Sequence, residues 1–180
     1  MNITMATASI PVMRHYLGVL SDLLRQAEAH AESHKIKPEA LIGARLFPDM
    51  YPLSGQVQFA CDFAKGAAAR LSGSANPGFA DDETSFAELQ ARIDKTLAYI
   101  DTIDPRTIAN SELTAVTVRF GKLELAANGH DYLLGFALPS MIFHISIAYA
   151  LLRHSGVPIG KLDFLGQVPG MSGFPASTKG

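Results

Sequence analysis

The chain has a single cysteine, Cys61, so it can form no intramolecular disulfide and cannot build the zinc frameworks that need two or more thiolates. A reducing compartment, the cytoplasm, is the expected setting. Charge is sparse as well. Only 18% of the 180 residues are charged, the net charge is -2, and there is neither a basic run nor an acidic tail. That excludes the electrostatic footprint that nucleic acid or an anionic lipid surface requires. The first residues, Met1-Asn2-Ile3-Thr4-Met5, lack a basic segment followed by an apolar one, and no uninterrupted run of about 18 apolar residues follows. The expectation is a chain that is neither exported nor membrane-spanning. Also missing are a glycine-rich phosphate loop ending in Lys-Ser/Thr, a Gly-x-Ser-x-Gly elbow and a Gly-x-Gly-x-x-Gly turn after a strand. No internal repeat is visible.

What the chain does have is apolar side chains, 48% of the total, more than the surface of an average soluble protein would need. A buried interface follows as an expectation. The length suits one domain, residues 1–180, with a hydrophobic core that needs no disulfide or structural metal.

Four long helical patterns organise that domain. From Pro11 to about His34, Met13, Tyr16, Leu17, Leu20, Leu24 and Ala27 recur at spacings of three and four, with Ser9 as the expected cap. Lys35 to Tyr51, broken by Pro38, Gly43 and Pro48, reads as a connecting loop with one helical turn at Pro38–Ile42. A second helix runs from Pro52 to Leu71, carries an alanine-rich stripe and stops at Gly73. After a Gly, Pro and Asn loop, Asp82 is the expected cap of a third helix bearing Phe86, Leu89, Ile93, Leu97 and Ile100, ended by Pro105.

The period then drops to two. Ala115–Phe120, the turn Gly121-Lys122 and Leu123–Leu125 predict a small β-hairpin. From Asp131 to His154 the only charge past the first residue is Arg153, which predicts the most buried helix, kinked or restarted at Pro139. Beyond Gly156, prolines and glycines predict extended coil laid over the bundle, with 167–180 a flexible tail.

Polar residues on buried faces mark where chemistry is to be sought. His144 projects within about 40° of Ser140, Ala148 and Leu151, inside the apolar stripe of the last helix. It reads either as a core histidine hydrogen-bonded to one neighbour or as a ligand or acid-base group. Gln56 shares a face with Leu53, Val57 and Ala60 and is the expected partner of His144, as a structural bridge or a metal ligand. His30 and His34 have chelating i, i+4 spacing, but without the zincin Glu they read as surface histidines at a helix C-terminus. Asp49, Tyr51, His130, Asp131 and Tyr132 sit at helix entries, where a bundle's mouth or a cap lies. Cys61 reads as a packed thiol.

The run Phe143-His144-Ile145-Ser146-Ile147-Ala148-Tyr149-Ala150-Leu151-Leu152-Arg153-His154-Ser155-Gly156-Val157 with Gly160–Gly166 resembles a bacterial family of unknown function in the DinB and YfiT-like superfamily of metalloenzymes. So do Phe47–Leu53 with Gln56-Val57, and Phe79–Glu83 with Glu88-Leu89. The resemblance implies an all-α, up-down-down-up four-helix bundle, commonly dimeric, that binds a divalent metal such as zinc or nickel through one His on the second helix and two on the last. Some members transfer low-molecular-weight thiols or isomerise related adducts. Here the last-helix pair falls on Ser140 and His144, and the second-helix ligand on Gln56, so two of three imidazoles are replaced by weaker donors. Two functions follow as expectations. One is a dimeric, small-ligand-binding or non-catalytic bundle with a degenerate metal site. The alternative is a metal-dependent enzyme of the thiol-transferase or isomerase kind, with His144 as ligand or general base and Gln56 and Asp49 assisting.

Overall fold

A computed structural model of the chain describes residues 3–173. Helix α1 spans Met5–Ser33 and begins six residues before the expected start. The cause is a reciprocal cap: the Thr4 N–H donates to Thr7 Oγ1 at 2.8 Å, while the Thr7 N–H donates to Thr4 Oγ1 at 3.3 Å. Ser9 is therefore no cap but a buried helix residue whose hydroxyl donates to the Met5 carbonyl at 2.7 Å. Pro11 sits inside the helix. The short α2 (Pro38–Ile42) forms where the loop pattern allowed one turn. Helix α3 (Leu53–Ser72) ends at Gly73, whose φ of 71° is the left-handed stop the sequence calls for.

Helix α4 (Phe86–Asp101) is capped by Ser85 rather than Asp82. Ser85 Oγ accepts from the Glu88 N–H and Glu88 Oε2 accepts from the Ser85 N–H, so the Ser-x-x-Glu box outcompetes the earlier aspartate. The preceding loop is pinned by Arg92, whose buried guanidinium donates to the Ala80 carbonyl at 2.7 Å and Glu83 at 2.8 Å and pairs with Asp62 and Asp81. Lys65 and Lys95 each place Nζ 4.1 Å from the centre of the Phe79 ring in the same loop. Pro105 opens a further short helix, α5 (Pro105–Ile108).

Strands β1 (Ala115–Phe120) and β2 (Leu123–Asn128) form a two-stranded antiparallel hairpin, Ala115 opposite Asn128 and Phe120 opposite Leu123. Val116 and Val118 are its buried residues. The chain then continues through α6 (Gly129–Tyr132), a π turn (Leu133–Ala137) and α7 (Leu138–His154). The Leu138 N–H reaches the Leu133 carbonyl, one residue beyond the α-helical partner. Pro139 thus neither breaks nor restarts the helix; the widened turn ahead of it takes up the misfit.

By length and composition Gly129–His154 could cross a membrane, yet in this fold its inner face packs on α1 and α3. Nor is it the most buried helix. Leu134 and Phe143 are about half exposed, whereas 13 of the 20 residues of α3 are buried. Apolar composition on all sides does not ensure burial when only one side has a partner. Past Val157 and Ile159, both buried, the expected coil contains one helical turn, α8 (Lys161–Leu165), held to α1 by His15 Nε2 on the Leu165 carbonyl at 2.8 Å. Of the expected flexible tail, 167–173 has neither helix nor strand and 174–180 lies outside the described residues.

The fold of the described residues is thus mostly helical, with a small hairpin ahead of the last helix. The hydrophobic core draws on α1, α3, α4, α7 and β1. Gly129 lets the start of α6 pass under the 108–112 segment: a Cβ there would collide with the Ser111 carbonyl oxygen and press on Leu71. Gly129→Ala is expected to lower stability by about 1–3 kcal/mol, the usual cost of forcing atoms into a packed site. Urea midpoints of the two proteins check this, and an unchanged midpoint would show that the contact can relax freely.

Candidate functional site

His144 lies where helical projection puts it, on the inner side of α7 facing α3. Its Nδ1 is 2.8 Å from Gln56 Oε1, and Gln56 Nε2 donates to the Tyr51 carbonyl at 3.0 Å. The second bond fixes the amide orientation. Gln56 presents an acceptor to the ring, so Nδ1 carries the imidazole proton and Nε2 keeps a lone pair. The ring is nearly parallel to Phe59 and Phe63, with centroids 4.9 and 5.6 Å away, and meets Phe143 edge-on at 5.3 Å. Burial among these side chains disfavours the charged form and pushes the His144 pKa down to about 4.

The other sequence candidates do not gather around this ring. Ser140 is half-buried one turn earlier on α7, and Asp49 is exposed in the loop before α3. Among the described residues neither is hydrogen-bonded or ion-paired to His144. His30 and His34 approach each other at the end of α1, ring centroids 4.2 Å apart, with His34 exposed. His130 pairs with Asp131 at an exposed position, 2.9 Å. Among the described residues no three His, Cys, Asp or Glu side chains are grouped so as to hold a metal ion. Cys61 is fully buried; burial, opposed by a hydrogen bond with Thr96, raises its thiol pKa to about 12, which leaves no nucleophile at neutral pH.

A cavity of about 200 Å³ adjoins the histidine. Phe59 and Phe63 of α3 form one wall and are the same rings that lie against His144. Phe120 from β1, with Tyr132 from α6 and Phe136 from the π turn, form another, and Phe136 approaches Phe63 and Phe120 with centroids 5.7 Å apart in each case. Arg70 and Asn76 supply donors at the rim, and Arg70 Nη1 donates to the Tyr132 hydroxyl at 3.2 Å. Burial raises the Tyr132 pKa, with Arg70 opposing it.

Sequence reasoning found Tyr132 as an entry residue but missed the phenylalanines and Arg70. The one available signal was Phe59 and Phe63 at i, i+4, flanking rather than joining the apolar stripe of α3. The remaining walls come from segments some 60 residues away and carry no local mark.

The sequence matches the model of a family described as a domain of unknown function, DUF1993, over residues 5–165. The crystal structure of a DinB family member protein from Shewanella denitrificans superposes with a TM-score of 0.83, at 34% identity, covering 93% of this chain and 95% of that one. No curated protein matches.

The depressed His144 pKa has a signed consequence. Between its ordinary value of 6.5 and the folded value of about 4, the unfolded chain binds more protons than the folded one. Stability from this group is therefore complete above about 6.5 and declines as pH falls toward 4. Urea midpoints at pH 7 and pH 5 should show a smaller acid loss for His144→Gln than for the native chain. Equal losses would place the imidazole in water.

Proposed function

The chain belongs to the DUF1993 family, within the DinB-like superfamily, and from that premise we propose that it is a dimeric small-ligand-binding protein. In this reading the long helices α1, α3, α4 and α7 form an up-down-down-up four-helix bundle, the metal position is degenerate and the bundle is non-catalytic. The observation that carries the proposal is the 2.8 Å bond between His144 Nδ1 and Gln56 Oε1, which turns the imidazole into a strut between α7 and α3 beside an aromatic cavity.

The residues at the superfamily's metal position do not fit zinc or nickel. Gln56 is engaged at both ends of its amide, by His144 and by the Tyr51 carbonyl. Ser140 offers a neutral hydroxyl. One imidazole Nε2 remains, against the three nitrogen, sulfur or carboxylate donors such ions ordinarily take from a protein. The alternative, an enzyme of the thiol-transferase or isomerase kind with His144 as general base, is weakened by the same pKa: a group near 4 is a poor base at neutral pH. Asp49, exposed and not hydrogen-bonded to His144, adds nothing to it.

A second copy is the partner that suits the exposed apolar side chains Phe47, Tyr51, Leu134 and Phe143. The unpaired, buried Cys61 suits the reducing cytoplasm. Calorimetric titration of chelator-treated protein with zinc or nickel should show no stoichiometric binding at micromolar concentration, and sedimentation equilibrium should give two chains. One equivalent of metal that survives dialysis against EDTA and is lost in His144→Ala would overturn the non-metal reading. A monomer at all concentrations would overturn the dimer.

A further inference from the structure

Among the described residues, the lining of the aromatic cavity has a single charge without a partner of opposite sign, and it is positive. Three cations reach it, Lys65, Arg70 and Arg119. Lys65 Nζ is occupied by the Pro77 carbonyl and by Asp62 at 3.2 Å, and Arg119 Nε by Glu124 at 2.6 Å. Asp62, the lining acid, is shared between Lys65 and Arg92. Arg70 has no carboxylate partner among the described residues; it hydrogen-bonds the neutral Tyr132 hydroxyl.

The placement of Arg70 is built rather than incidental. Its guanidinium folds back across Gly66, where any Cβ would strike Nη1, and Asn76 Nδ2 would lie 3.8 Å from that same Cβ. Two donor groups thus converge over a glycine on one turn of α3. One guanidinium nitrogen is steadied by tyrosine and the remaining N–H groups are left to bind an oxyanion, for which the planar fork is suited to two parallel hydrogen bonds. The same cavity is lined by Phe59, Phe63, Phe120 and Phe136. The volume, about 200 Å³, is slightly more than the roughly 150 Å³ that encloses a benzene ring.

Resting on the ligand-binding reading above, we infer that the cavity takes a single-ring carboxylate: the ring lies among the phenylalanines, and Arg70, with the Asn76 amide beside it, receives the carboxylate. The π turn belongs to this site. It carries Phe136 and directly follows Tyr132, and such turns recur where a helix has been reshaped for function.

Titration calorimetry with benzoate, benzyl alcohol and acetate, on the native chain and on Arg70→Gln, tests the inference. Benzoate should bind saturably and lose about tenfold or more in Arg70→Gln, as expected for removal of a charged hydrogen bond. Benzyl alcohol should bind more weakly than benzoate and equally to both proteins, which also reports that the variant's cavity is intact. Acetate, lacking the ring, should not bind. If benzoate and benzyl alcohol bind alike and neither senses the substitution, the carboxylate assignment falls while ligand binding stands. If no ring compound binds the native chain, both fall.

Discussion

The close approach of α3 to its neighbours is the constraint on which the molecule depends. α1, α4 and α7 all pack on this helix, and the residues it turns inward are small: Gly55, Ala60, Ala64, Gly66, Ala67 and Ala68 are buried along its length. Small side chains let backbones approach, and close-packed interiors leave little room for adjustment once they have. The bond between Gln56 and His144 is possible only at that separation. A glutamine in a core is costly unless both ends of its amide are satisfied, and here both are, by Tyr51 and by the imidazole. The polar pair thus fixes the register of α7 on α3, while the alanines fix their distance.

The same economy governs the few charges. Arg92 gathers Asp62, Asp81 and Glu83 around one buried guanidinium and ties the loop before α4 to the helix that follows it. The loop has no regular structure of its own, and Arg92 shares the work of holding it with Lys65, on the Pro77 carbonyl, and Tyr99, on the Ala75 carbonyl. With Asp62, the one acid of α3, committed to Arg92 and Lys65, the cavity side of α3 keeps a positive character that net charge does not reveal.

How much of this was legible in the sequence depends on distance along the chain. Periodicity located the long helices and the hairpin, and helical projection paired Gln56 with His144 because each residue's direction is set by its own helix. Helix starts were less legible. Thr4 and Thr7 form a cap without the usual Glu or Gln, and at α4 the aspartate at 82 competed with the true box three residues on. The exposed side of α7 was unreadable because composition tells how apolar a helix is, not how many neighbours it has. The cavity was the least legible of all, since its walls come from residues 59–70, 118–120 and 132–136, which only the folded chain assembles.

The widened turn at Leu133–Ala137 sets the angular phase of everything that precedes α7. A chain one residue shorter there would run as uninterrupted α-helix, and its upstream part would swing about 100° around the axis. Tyr132 would then leave the guanidinium it steadies, and the hairpin joined to α6 would be carried off with it. Relatives that keep the imidazole strut but lack this insertion would have the same helical core and no aromatic pocket, so sequence length between Tyr132 and Pro139 is a simple marker for sorting them.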